Sequence, residues 1–252
     1  MKTIPMILVA CCLVALSCSK EKPAVPQKPQ LPPPEYSTVT DVEGNIYKTV
    51  KIGDQIWMAE NLKTHQLNDG TPVPYVTSNT TWADVNILEP MMCYYDNDDL
   101  NNKDKYGALY NWYAVNTGKL APEGWHVATN SDWEKLKNYL IANGYNYDGT
   151  KSENKIGKAL AATFGWNEDG TTGNVGNDQA SNNKSGLSLT PGGYRQPDGT
   201  FSSTPGNIAI VWTPDSYSVS EGISPKILAG FDVLILGYSP KNYGYYVRCV
   251  KD

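Results

Sequence analysis

The sequence predicts an α+β domain: two to three short helices packed on mostly antiparallel strands, with the N- and C-terminal strands paired. Three observations predict it. Strand-like runs lie near both ends of the domain, at 45–62 and 245–250, and helical periodicity is confined between them. The clearest helix start is mid-chain, at Ser131-Asp-Trp-Glu134, in the form of a capping box. Hydrophobic residues make up 40% of the 252, enough to fill a sizeable core.

Residues 1–17 read as a signal peptide: Lys2, an apolar run from Ile4 to Leu16, then small residues before Cys18. The run falls short of the ~20 residues that a hydrocarbon core requires, so it is not a membrane span. Ala15-Leu-Ser-Cys18 has the form of a bacterial lipobox, with Ala where Leu is usual, and makes Cys18 the lipidated residue. An ordinary cleaved signal with an incidental Cys is the alternative. Residues 18–35 comprise this Cys and a Pro-rich linker, PAVPQKPQLPPP at 23–34, an extended spacer of ~3 Å per residue. A single domain is expected over 36–252.

In the domain, 45–62 reads as two strands meeting at Gly53-Asp54, and 67–86 as loop. Met91 to Tyr95 is a short strand. Residues 107–115 carry Leu109, Trp112 and Tyr113 at helical spacing. The capped helix follows, with Trp133, Leu136 and Leu140 on one face and Asn143-Gly144 as its stop. Ile156 to Thr163 suggests a third short helix, ended at Gly165. The stretch 166–189 is long enough to suspect a functional loop. Strands are expected at 187–189, 208–213, 216–220, 227–236 and 245–250.

The formal charge is −5, and only Arg195 and Arg248 are arginine among 21 basic residues, with no basic stripe. A nucleic-acid partner is therefore not expected. Seventeen Tyr and seven Trp against three Phe suit half-wet binding surfaces, and equally strands over shallow cores.

Cys93 and Cys249 both fall in expected strands, and a disulfide and two buried thiols are both open. His126, beside Trp125 in the turn before the capped helix, is expected to make a structural hydrogen bond there. Trp112 and Trp133 are expected in the core. Arg195 and Arg248 are expected in buried pairs with Asp132, Glu134 or Glu60. Asp96, Asp98, Asp99, Asn101 and Asp104 present oxygen ligands closely enough for calcium, the one candidate cofactor, and equally suit solvated turns. Trp166, with Trp82 as a second platform, is a candidate stacking face for a sugar, with Asn167, Asp169, Asn174, Asn177 and Asp178 to take hydroxyls. No catalytic or phosphate-binding motif is present.

Five blocks in order, GNIYKTVKIGDQIWMAENL, YGALYNWYAV, PEGWHVATNSDWEKL, SLTPGGYR and YYVRCVKD, resemble the Fibrobacter succinogenes major paralogous domain, common in lipoproteins of Bacteroidetes and Fibrobacteres. The resemblance spans about 41–252 and implies a C-type-lectin-like fold, similar in turn to formylglycine-generating sulfatase-modifying enzymes. Ala121 stands where that family usually has Cys, removing a disulfide partner, and Ala128 where it usually has Pro. Those enzymes use a close Cys pair near the C-terminus, whereas Cys249 stands alone, which argues against an enzyme. The expectation is an outer-membrane lipoprotein of the cell envelope, on the surface or periplasmic face, binding a glycan or surface partner through its loops. A structural or assembly protein that binds another envelope protein is the alternative.

Overall fold

The computed structural model describes Lys2 and residues 31–202 and 205–252. The expected signal peptide, Cys18 and most of the expected linker lie outside the described residues. Among the described residues no helix is long and apolar enough to cross a membrane.

The strands are β1 (Tyr36–Thr40), β2 (Ile46–Ile52), β3 (Gln55–Met58), β4 (Met92–Cys93), β5 (Leu109–Tyr110), β6 (Trp125–Val127), β7 (Ile208–Trp212), β8 (Glu221–Leu228), β9 (Ile235–Pro240), β10 (Tyr246–Val247) and β11 (Cys249–Lys251). Between them lie α1 (Asn79–Trp82), α2 (Asp99–Tyr106), α3 (Trp112–Val115), α4 (Asn130–Ala142) and α5 (Gly157–Leu160). They form a five-stranded antiparallel sheet, β1-β2-β3-β11-β6, and a four-stranded sheet, β10-β7-β8-β9, with a small β4-β5 ladder. Among the strands of the described residues the β10–β7 pairing alone is parallel, with isolated parallel bridges at Tyr75–Met92 and Ala161–Leu189. The fold is thus α+β, and the closing strand does pair with the opening hairpin: Val250 lies opposite Trp57.

Several strands are buried on both faces. Because side chains alternate along a strand, neighbours enter different cores. Trp57, Val211, Tyr246 and Val250 face one cluster, and Met58, Trp212, Val247 and Cys249 the other. Trp133, Leu136 and Leu140 of α4 fill the first cluster, as the helix periodicity predicts. Trp112 joins the second. Trp125 is half-buried on β6, opposite Lys251.

Four local expectations are corrected. The cap of α4 is Thr129, not Ser131: its hydroxyl accepts from Asp132 N (3.2 Å), and the Asp132 carboxylate accepts from Thr129 N (2.9 Å). Asp132 does from the third helical position what Glu134 was expected to do, while Ser131 is exposed and Glu134 pairs with Lys137. Residues 107–115 are not one helix. Leu109 and Tyr110 pair with β4, and Asn111 then caps α3 through Ala114 N (3.1 Å). The run 227–236 is a hairpin, turning through Gly230 between β8 and β9. Segments 187–189 and 216–220 make only isolated bridges, at Leu189 and Ser216. β1 was missed because its YSTVT carries no apolar alternation.

Candidate functional site

A cleft of about 320 Å³ opens between β2, the end of α2 and the loop 183–190. Its construction starts from Arg248, which is fully buried at 0% exposure. Nε donates to Asn61 Oδ1 (2.6 Å), Nη1 to the carbonyls of Met58 (2.9 Å) and Leu187 (2.7 Å), and Nη2 to that of Ser188 (2.9 Å). The guanidinium thus pins the loop to the end of the hairpin. Among the described residues neither arginine has a carboxylate partner, which corrects the expected pairing with Asp132, Glu134 or Glu60. Carbonyl oxygens at the end of β3 and in the loop, with the Asn61 amide oxygen, satisfy the forked donors without desolvating a second ion. Burial lowers the Arg248 pKa to about 9, opposed by the charge of Glu60.

Asn61 passes the constraint on, donating from Nδ2 to Tyr106 O (2.7 Å) at the end of α2. The next residue, Gly107, has φ +83°, and a Cβ there would lie 2.7 Å from Asn61 Cβ and 2.8 Å from Leu62 O. Only glycine lets the helix end this close to the hairpin. Across the cleft, Asn183 (φ 62°) and Ser188 (φ 56°) are left-handed, and Ser188 N donates to Asn183 Oδ1 (2.8 Å). Such a backbone costs ~1 kcal/mol or more at a serine and persists where its surroundings over-determine it; here Arg248 and Asn183 do so.

The open faces belong to aromatic rings. Phe164, in the bend after α5, is 54% exposed and Tyr36, on β1, 43%, and both line the cleft. Lys48 Nζ stands 3.8 Å from the centroid of Tyr36, and Lys105 Nζ 4.7 Å from that of Tyr106. Lys63 pairs with Asp104 (2.7 Å), whose carboxyl this hydrogen bond holds below its usual range. Lys103 also lines the cleft, and Glu60 accepts from Lys48 N (2.9 Å). The sequence did not announce this site, which draws on seven separated segments. Phe164, one of three Phe and set between the exposed Thr163 and Gly165, was the one usable signal.

The expected sugar platforms are corrected. Trp166 is 5% exposed and donates from Nε1 to Ala162 O (3.0 Å). Trp82 is fully buried, donates to Asn242 O (2.9 Å) and stacks on the Arg195 guanidinium, 4.4 Å from its ring. Arg195 itself donates to the carbonyls of Gly199, Val76 and Thr77 and to Asn79 Oδ1. These indoles pack the core because their N–H groups find main-chain acceptors there. The polar residues of the 166–189 loop mostly hold it together. Asp169 accepts from Asn174 Nδ2 (2.9 Å), Asn177 Nδ2 donates to Asp169 O (3.1 Å), and Asn167 N donates to Gly206 O (2.7 Å). Asn177 and Asp178 also line a second cleft of about 260 Å³ beside Tyr145 and Tyr147. There the buried Lys158 donates to the carbonyls of Asn177 and Asp178.

The acidic segment is largely helical. Asp99 to Tyr106 fold as α2, Asp98 caps it through Asn101 N (3.1 Å) and holds Asn101 Nδ2 (2.6 Å), and Asp104 turns to Lys63. Asp96 and Asp99 are exposed. Among the described residues no group of three or more His, Cys, Asp or Glu converges to hold a metal.

His126 makes the structural contacts expected, with Asp132 Oδ2 (3.0 Å) and Asp252 Oδ1 (2.7 Å). Cys93 and Cys249 are free, fully buried thiols. They face different core clusters, which accounts for the absence of a bridge.

The fold and cleft define a small α+β domain with a built polar and aromatic concavity. A family model, the Fibrobacter succinogenes major domain, matches residues 50–251, from within β2 through β11, and the chain belongs to this family. No curated protein and no solved structure matches the chain.

Proposed function

We propose that this protein is a lipid-anchored binding protein of the cell envelope, held through Cys18 and lifted on the linker 18–35, and that the 320 Å³ cleft takes a glycan. One observation carries the binding reading. The accessible faces of Tyr36 and Phe164 flank a concavity that also presents Asn183, Ser188 and Thr190. Sugars need this combination, an aromatic surface for the apolar ring face and fixed polar groups for the hydroxyls. A C-type-lectin-like arrangement belongs to the same reading, supported by the paired end strands with short helices beside them. Binding without catalysis is favoured because Cys93 and Cys249 are buried and do not line the cleft.

A glycan array on the full chain tests this, run with and without EDTA. Signal is expected for the wild type, retained in EDTA, and lost in Phe164→Ala at unchanged melting temperature. An array blank for the wild type contradicts the reading. For the anchor, Cys18→Ser is expected to move the protein from the membrane to the soluble fraction.

A second reading, a protein partner on the envelope, is favoured by one exposed feature. Tyr217 and Tyr238 stack in parallel at 4.0 Å and 3°, 57% and 53% exposed, beside Val219 at 97%. Cross-linking at Tyr217 in whole cells would report such a partner.

A further inference from the structure

The charge around the cleft is opposite to that of the chain. Against a formal −5 overall, the lining holds Lys48, Lys63, Lys103, Lys105 and Arg248 but only Glu60 and Asp104 as acids. Asp104 is taken up by Lys63 at 2.7 Å. Among the described residues Lys48, Lys103 and Lys105 form no ion pair. Arg248 adds a buried positive charge beneath them whose donors are met by carbonyl and amide oxygens, so its charge is not neutralised locally. Lys48 stands over the exposed Tyr36 ring and Lys105 over Tyr106, a ring that is itself buried, so cation and accessible aromatic surface are presented together at Tyr36. A neutral sugar would leave these cations unused, whereas a ring carrying a carboxylate would meet both features at once.

Resting on the glycan-binding reading above, the geometry points to an acidic saccharide as the ligand: a hexuronate unit whose ring lies on the aromatic walls and whose carboxylate is taken by Lys48, Lys103 and Lys105. A charge set in a concavity focuses its field, so capture of such a ligand should weaken as salt rises. The three lysines act as selectors for the acid, and the rings contribute to binding with or without it.

The test uses the full chain and titration calorimetry in EDTA, with oligomers of galacturonate, glucuronate and mannuronate, each beside its methyl ester. Esterification removes the charge and keeps the ring. At least one acid is expected to bind roughly tenfold or more tighter than its ester, and to lose that margin between low and high salt. The triple variant Lys48→Gln, Lys103→Gln, Lys105→Gln should lower affinity for the acid to that for the ester and leave ester binding and melting temperature unchanged. Should every acid bind no better than its ester, or the triple variant keep the full margin, the inference is overturned. If neutral glycans on the array still bind through Phe164, the wider glycan reading survives that result. If neither the acids nor any arrayed glycan binds, both fall.

Discussion

Trp57 of the opening hairpin meets Trp133 of α4 edge-on, with ring centroids 4.8 Å apart at 61°. Val250 of the closing strand lies directly opposite Trp57 in the sheet, so one contact joins the start, middle and end of the domain. Both indole N–H groups are buried and find no acceptor among the described residues, so these rings act through packing and edge-to-face geometry. Trp133→Ala should cost ~3–5 kcal/mol. Trp133→Phe should cost distinctly less, since it removes an unsatisfied donor along with the volume. Urea denaturation checks this, and equal losses for the two would show that packing is not the main term.

Arg248 predicts a second effect of similar size. Arg248→Met strands three carbonyls and the Asn61 amide in a buried site, a loss of ~3–5 kcal/mol. Lysine brings a cation but only three donors on a single nitrogen, so Arg248→Lys should recover only part. The loop 183–190 should also exchange its amides faster in either variant, because its left-handed Ser188 loses a support. Hydrogen exchange on those residues is the check.

His126 and Asp132 set a pH window. Burial works against the charge of His126, but the hydrogen bonds it donates to Asp252 and Asp132 outweigh it and raise the pKa above 6.5. The resulting stability is complete below that ordinary value and is lost as pH rises through the folded one. Burial likewise opposes ionisation of Asp132, but Thr129 and His126 outweigh it and lower the pKa below 3.8. That contribution is present above the ordinary value and is lost as pH falls through the folded one. Stability from this clamp is therefore greatest between about 3.8 and 6.5. His126→Gln should flatten the decline between pH 6 and 8 in urea midpoints, and a decline of undiminished slope would contradict the assignment.

Burial pushes the Cys93 thiol up to about 12 and raises that of Cys249 further. The thiol is the unreactive form. Neither residue should react with N-ethylmaleimide in the native protein at pH 8, and both should react once it is unfolded. A non-reducing peptide map should show no Cys93–Cys249 link.

Much of the fold was legible because it rests on local chemistry. The Gly53-Asp54 hairpin, the face of α4 and its stop at Asn143-Gly144 follow from turn residues and periodicity. Five ordered sequence blocks made the family legible, and the family model matches residues 50–251. The α4 cap was misread by two residues because Ser131–Glu134 and Thr129–Asp132 both satisfy the box, and only tertiary contacts of Asp132 with His126 and Gln55 decide between them. The cleft was not legible. Its parts lie on Tyr36, Lys48, Lys103, Phe164 and Ser188, brought together by a buried arginine whose partners are main-chain carbonyls that no side-chain pattern announces. Trp166 misled because tryptophan in a polar loop looks like a platform, when here the loop folds over it.

The position at which a ligand settles is the decisive observable. With a glycan identified on the array, amide shifts of the isotope-labelled full chain locate it directly. The prediction is perturbation of 103–107 and 186–190 together with Phe164. Shifts confined instead to 145–147 and 172–178, around the second cleft, would contradict it.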